Sequence, residues 1–412
     1  MERVVVTGMG AVSPFGVGVA PLWSGLCAGQ DAIRPLDLFD GSKHRTSLAG
    51  QIDLDQFNDL VHEPGERRRL TRTDRFAIEA AAEAIAQAGL RDSDALRDAG
   101  VFLGSSTGGM LEGEQIFMNA VGGIKGPRAR QRLRQLSGQP VCSPADAIVR
   151  TFGLHGPVET SATACAAATM SIETALVSLR SGEVDVAITG GSDGLCQLTY
   201  GGFNSLRAIS PERTRPFRLE RDGLNLGEGA GVLLLETESH ARARGGFVLA
   251  EVAGAGTSCD AHHMTAPHPE GRGASLAMRR ALADSGLEPS AIDFINAHGT
   301  GTAHNDMAEW RALCKVFGEE HASRLPLTST KGSVGHLLGA CGGLEAIVTV
   351  MCLGAGEVHP TAGQGLQDPA CPVDLVTGSP RRLERCESAL SVNLAFGGAN
   401  AAVVLRRRGG AT

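Results

Sequence analysis

Aromatic residues are scarce in this sequence: they occupy 4% of its 412 positions, with one tyrosine and two tryptophans. A core with so few large rings has to be filled by small and branched side chains in close contact. Positive charge is also lacking. A formal net charge of −7 excludes a general nucleic-acid binder, because phosphate recognition needs a basic surface. No apolar run approaches the ~18 residues of a membrane span, and Met1-Glu2-Arg3-Val4-Val5-Val6 enters a strand-like segment without a signal-peptide pattern. The ten cysteines are scattered singly, with no C-x-x-C pair and no Cys/His cluster at zinc spacing. No metal site is therefore expected, and the thiols read as reduced and cytoplasmic. Gly8-Met9-Gly10-Ala11-Val12-Ser13 lacks the third glycine of a dinucleotide fingerprint, which rules that reading out.

What is present is glycine, 55 residues of it, with 42% hydrophobic and 20% charged positions. The length suits two domains or one large multilayer body. Short strands are expected at Arg3–Thr7, Val101–Leu103, Val184–Thr189, Gly231–Glu236 and Ile292–Asn296. A helix capped by Thr73 should run through Phe76, Ile78, Ala81, Ile85 and Ala88 to Gly89. The second half repeats this grammar. Ala281 to Leu287 echoes Ala84 to Leu90, and Glu345 to Val358 echoes Glu173 to Val184. The spacing predicts that Cys165 and His336 begin equivalent helices that converge across a pseudo-two-fold axis. The expected class is α/β, with two βαβ-rich halves at residues 1–245 and 246–412.

Cys165 lies in a run of small residues ahead of a helix whose stripe is Ala168, Ile172, Ala175, Leu176 and Leu179, closed by Gly182. With Thr163 as N-cap, Cys165 would sit in the first turn, where the helix dipole favours a reactive thiolate. An inert core cysteine is the alternative. His298 and His336 each occupy a glycine-rich turn after a strand, where catalytic groups of α/β folds collect; a backbone-bonded structural histidine is the alternative there. The run of Lys125, Arg128, Arg130, Arg132 and Arg134 reads as a partner-facing patch or a solvated face.

Four ordered blocks carry a resemblance. Thr163-Ala164-Cys165-Ala166, Asn296-Ala297-His298-Gly299-Thr300-Gly301-Thr302, Ser329-Thr330-Lys331 with Gly335-His336-Leu337-Leu338-Gly339-Ala340, and Asn393-Leu394-Ala395-Phe396-Gly397-Gly398-Ala399-Asn400 resemble the signature blocks of the elongating β-ketoacyl-acyl-carrier-protein synthases. The resemblance implies a thiolase-type fold of αβαβα layers and a decarboxylative Claisen condensation. Cys165 would accept the acyl group as a thioester. His298 and His336 would donate hydrogen bonds to the enolate left by malonyl decarboxylation, and the N–H groups of Cys165 and Phe396 would form an oxyanion hole. Lys331 would support the histidines electrostatically, with Glu345 holding that network.

The same resemblance assigns Thr300 and Thr302, with Thr265 in the Asp260–Thr265 loop, to the phosphopantetheine tunnel, which leaves His262, His263 and His268 without a metal role. Phe396 would be a gate beside the cysteine, swinging on Gly397 and Gly398. Thr107 would stand at the acyl pocket near a dimer interface, where its small polar side chain suits polyene or poly-β-keto chains of a type II polyketide or aryl-polyene pathway as well as fatty acyl chains. Arg67, Arg68, Arg69 and Arg207 would dock the acidic acyl carrier protein. No tightly bound cofactor is implied beyond the carrier's phosphopantetheine arm. The partner would be a second copy or a related chain-length-factor subunit. Two other readings share the fold: a non-catalytic chain-length factor, which typically lacks the cysteine, and a thiolase, which usually has a second cysteine as its base.

Overall fold

In the computed structural model, which describes residues 2–57, 60–61, 63–91, 93–123 and 133–408, the first apolar run extends to Ser13 as strand β1 (Val4–Ser13), buried throughout. Two glycines account for the added length. A Cβ on Gly8 would stand 2.0 Å from the Ala84 carbonyl oxygen, and one on Gly10 would stand 1.9 Å from that of Ala80. Helix α1 (Arg72–Ala88) can therefore lie directly on the strand. Its cap is Thr71, not Thr73, because Thr71 and Asp74 form a reciprocal capping box; Thr73 donates its hydroxyl to the Gly108 carbonyl instead.

The first half is completed by β2 (Gly100–Gly104), β3 (Val158–Ser161), β4 (Val186–Asp193) and β5 (Gly229–Thr237). The second half repeats the set as β6 (Ala250–Cys259), β7 (Phe294–Asn296), β8 (Pro326–Thr328), β10 (Ser388–Leu394) and β11 (Ala399–Arg407), with a short β9 (Asp374–Leu375) at its edge. The strand order is β9-β8-β7-β10-β11-β6-β1-β5-β4-β2-β3. In each half the first strand pairs antiparallel with the last, β1 with β5 and β6 with β11. The outer strands are parallel, β2 between β4 and β3, and β7 between β10 and β8. The halves join along a short antiparallel contact, Val4–Val252, Val5–Glu251 and Val6–Ala250.

Helices α2 (Ala167–Ser181) and α5 (Cys341–Ala355) pack on each other and on strands from both halves. Their apolar faces share one core, in which Ile172, Leu176 and Leu179 are buried with Leu344, Ile347 and Val348. Helix α1 covers the outside of the first half, and α3 (Arg272–Ser285) with α4 (Ala303–Phe317) covers the second. The result is the αβαβα arrangement of the thiolase-type fold.

Two expectations need correction. Leu338–Ala355 is long and apolar enough to cross a membrane, yet 83% of it is buried inside the protein; it is the central helix, and the many small residues at its start hide its hydropathy from a search for large apolar side chains. The repeat also aligns differently. Helices α2 and α5 begin 174 residues apart (341 − 167), as do the 3₁₀ turns before them, Ala164–Ala166 and Leu338–Ala340. The counterpart of Cys165 is therefore Gly339, and His336 precedes that position.

Candidate active site

Cys165 occupies the middle of the Ala164–Ala166 turn, ahead of α2 rather than within its first turn, and Thr163 makes no side-chain cap. Ala164 has φ +49°, and its counterpart Leu338 has φ +54°. Such left-handed geometry costs energy in a residue with a Cβ and marks an imposed turn. Cys165 is 5% exposed. Burial pushes its thiol up to about 11, against the opposing pull of the Lys331 ammonium and the Phe396 backbone N–H. The expected thiolate-favouring position is thus overridden by desolvation.

The sulfur of Cys165 and one ring nitrogen each of His298 and His336 lie within 4.8 Å of one another, all three residues buried. The imidazoles meet edge to face, with centroids 5.5 Å apart and planes at 88°. Burial, reinforced by Lys331, holds His298 well below the usual histidine range and His336 down to about 3. Both rings are neutral at physiological pH. Nδ1 of His336 accepts the Leu338 N–H at 3.0 Å, so its proton resides on Nε2. Nδ1 of His298 faces the Asn393 side-chain amide nitrogen at 3.4 Å, which leaves the same tautomer.

Behind the histidines, Lys331 and Glu345, each 1% exposed, form a buried ion pair. Burial disfavours the ammonium, but Glu345 carries the Lys331 pKa above its ordinary value. Asn393 donates to Glu345 at 2.7 Å, and Asn393 in turn accepts the Thr169 hydroxyl. Glu309, which no motif singles out, accepts the backbone N–H groups of His298 at 2.7 Å and Gly299 at 2.8 Å. Burial lifts its carboxyl to about 7.

A cavity of about 490 Å³ opens onto this cluster. Cys165, His298, His336 and Phe396 line it, and so do Thr300, Thr302, Thr265 and Arg207. The Thr300 and Thr302 hydroxyls are 2.9 Å apart, and Thr302 caps α4. His263 also lines the cavity, where its Nδ1 accepts the N–H groups of Thr265 and Ala266; His262 and His268 face each other with ring centroids 5.0 Å apart. Phe203, absent from the sequence-derived site, stacks on Phe396 at 5.2 Å and 18° and approaches His336 at 6.4 Å. The backbone beyond Phe396 turns on Gly397 and Gly398, both at φ +82°, and is pinned where the Gly397 N–H donates to the Met264 carbonyl at 2.7 Å.

Other expected residues lie apart. Thr107 is not on the cavity wall: it is buried, and its hydroxyl lies 2.6 Å from Asp193 and 3.1 Å from the Gly194 carbonyl oxygen. Arg67, Arg68 and Arg69 are exposed on the short helix Pro64–Arg67 and the turn after it and do not line the cavity; Arg69 pairs with Glu66 at 3.2 Å. Of the basic run, Arg134 is exposed, and Lys125, Arg128, Arg130 and Arg132 lie outside the described residues.

The chain belongs to the beta-ketoacyl synthase family, whose N-terminal domain matches residues 1–241 and whose C-terminal domain matches residues 249–364. Among its relatives is the 3-oxoacyl-[acyl-carrier-protein] synthase 2 of Staphylococcus aureus, 38% identical over 413 residues, with 98% of each chain covered. Among solved structures, it is similar to a chain of the ishigamide ketosynthase/chain length factor, at TM-score 0.90 and 33% identity over 99% of this chain and 100% of that one. A second similar structure is a type II PKS acyl-carrier protein in complex with its ketosynthase bound to the hexaketide, at TM-score 0.87 and 30% identity, over 99% and 100%.

Proposed function

We propose that this protein is a 3-oxoacyl-acyl-carrier-protein synthase that lengthens an acyl chain held on Cys165 by decarboxylative condensation with malonyl-acyl carrier protein. The observation that carries the proposal is the convergence of one thiol and two neutral imidazoles within 4.8 Å on a cavity of about 490 Å³.

In the first step the Cys165 sulfur attacks the thioester carbonyl of the acyl carrier. A new carbon–sulfur bond forms, the old one breaks, and the thiol proton leaves with the arm's sulfur. With the thiol at about 11, deprotonation accompanies attack rather than preceding it. The N–H groups of Cys165 and Phe396 hold the oxyanion; the Gly339 N–H, counterpart of that of Cys165, donates to a carboxylate oxygen at 2.6 Å, which supports this reading of the turn. In the second step malonyl thioester loses carbon dioxide, and the bonding electrons pass to the thioester oxygen. Nε2–H groups of His298 and His336 stabilise that enolate; its carbon then attacks the acyl-Cys165 carbonyl, the carbon–sulfur bond to Cys165 breaks, and the departing thiolate takes up a proton from water. Neutral donors suit this role because they carry no acidic proton that would quench the carbanion. Lys331 and Glu345 act from behind, and the Lys331 charge also disfavours a metal cation between the histidines.

The partners belong to the same proposal. The phosphopantetheine arm would lie along Thr300, Thr302 and Thr265, with the carrier protein against Arg207 and the Arg67–Arg69 surface and no tightly bound cofactor. A cytoplasmic setting is supported by ten free thiols, and the two halves would divide near residue 245. Similarity to a type II PKS ketosynthase favours polyketide or polyene substrates, and similarity to a ketosynthase/chain length factor a dimer with a like or chain-length-factor subunit. Thr107, with its hydroxyl engaged by Asp193, would present a small side chain to the acyl pocket near that dimer interface. The test is mass spectrometry of the purified protein with malonyl-carrier and a set of acyl-carrier primers. A product longer by two carbons with a 3-oxo group is expected, and its absence with every primer, saturated or poly-β-keto, would overturn the assignment.

A further inference from the structure

Asp193 ends strand β4 and is fully buried. One carboxylate oxygen accepts the Thr107 N–H at 2.8 Å and the Thr107 hydroxyl at 2.6 Å. The other accepts the Ser106 N–H at 2.9 Å and, from the opposite half of the molecule, the Gly339 N–H at 2.6 Å. Gly339 lies in the turn that carries Leu338, and the Leu338 N–H sets the tautomer of His336. A Cβ on Gly339 would come within 2.7 Å of the same carboxylate oxygen, so the turn is built around this contact.

We propose that Asp193 is a positioning residue of the condensation: its carboxylate clamps the Leu338–Ala340 turn and thereby fixes the proton and the aim of His336. Only a carboxylate meets the demand. Backbone N–H groups approach both oxygens, and an amide has one acceptor end. In Asp193→Asn the amide oxygen stays with Thr107, whose N–H and hydroxyl both approach it, and the NH₂ faces the Ser106 and Gly339 N–H groups. The turn loses its anchor, Leu338 shifts, and His336 is left free to rotate or to change tautomer. The Asp193 charge is also among the influences that, after burial, hold the Cys165 thiol protonated, so the same substitution leaves the nucleophile no less reactive.

This assignment rests on reading His336 as a donor to the enolate, and the experiment separates the two. In the full chain, Asp193→Asn should slow carbon dioxide release from malonyl-carrier roughly 10- to 100-fold, the scale of a misplaced catalytic group. Alkylation of Cys165 by iodoacetamide and its acylation should stay at the wild-type rate or rise. In a His336→Ala background, Asp193→Asn should cost nothing further, because residues acting through one another are non-additive. If Asp193→Asn does not fold, Thr107→Val, which keeps every backbone N–H and removes one hydroxyl, should give a smaller loss that likewise vanishes in the His336→Ala background. Equal losses of acylation and decarboxylation, or additive losses with His336→Ala, would overturn the positioning role. Full decarboxylation by His336→Ala alone would overturn the reading of His336 itself.

Discussion

Asn393 places its side-chain nitrogen 2.7 Å from Glu345 and 3.4 Å from Nδ1 of His298, so a single amide joins the buried ion pair to the imidazole that faces the cavity. His298 is held neutral by burial and by Lys331, and its remaining N–H is directed to the substrate side. Removing one such donor from a dry site costs roughly 10²- to 10³-fold. His298→Ala should therefore slow malonyl decarboxylation by that factor while Cys165 still takes up an acyl group. Intact-mass spectrometry should show acyl-enzyme accumulating, and normal turnover would contradict the assignment.

The nucleophile gives a second prediction. A thiol at about 11 carries little thiolate near neutrality, so the rate of Cys165 alkylation by iodoacetamide should rise about tenfold per pH unit through the neutral range without levelling off below pH 9. The signal can be isolated by difference from Cys165→Ser, which should also abolish condensation. A plateau near pH 7 would mean that the resting site holds a thiolate after all.

The sequence and the structure agree where chemistry and small-residue packing leave local marks. His298, His336 and Phe396 stand beside glycines and Cys165 in a run of alanines and threonines, and all four meet at one cavity. Asp193 and Phe203 were illegible because each works through a partner far along the chain: Asp193 binds Gly339 across 146 residues, and Phe203 stacks on Phe396; Glu309 was illegible because it holds backbone N–H groups, which any residue supplies. The Thr107 contact with Asp193 was hidden for the same reason as that of Asp193 with Gly339, since its partner lies 86 residues along the chain. The repeat was visible, but its register was not. Glu173 and Glu345 look equivalent in sequence, whereas the helices themselves align at 174 residues (341 − 167), which places Gly339 opposite Cys165.

A half-buried carboxylate outside the site sets a pH dependence. Glu112 accepts the Arg72 N–H at 2.8 Å, and burial lifts it from 4.5 to about 7. A raised carboxyl keeps its proton in the folded state while the unfolded chain loses it above about pH 4.5. Stability from this group is full below that pH and is lost as pH rises through about 7. Glu112→Gln removes the titration and keeps one acceptor oxygen for Arg72. The variant should gain stability relative to the wild type between pH 5 and pH 8, by up to about 3 kcal/mol, read from chemical denaturation at the two values. An unchanged difference would show that Glu112 titrates normally in the folded protein.

Arg207 offers a way to separate docking from folding. It is exposed on the rim of the cavity with its backbone at φ +55°, a conformation that an arginine holds at a cost and a glycine adopts freely. Arg207→Gly should therefore leave thermal stability equal or higher, and yet weaken carrier-protein binding if the guanidinium faces an acidic partner. The weakening should be largest at low ionic strength and shrink between 0.1 and 1 M salt, where the screening length falls from about 10 to about 3 Å. Arg207→Lys, which keeps the charge and the strain, should bind nearly as the wild type does. Titration of labelled carrier protein at the two salt concentrations decides the matter: affinity of Arg207→Gly equal to wild type at low salt would remove this residue from the docking surface.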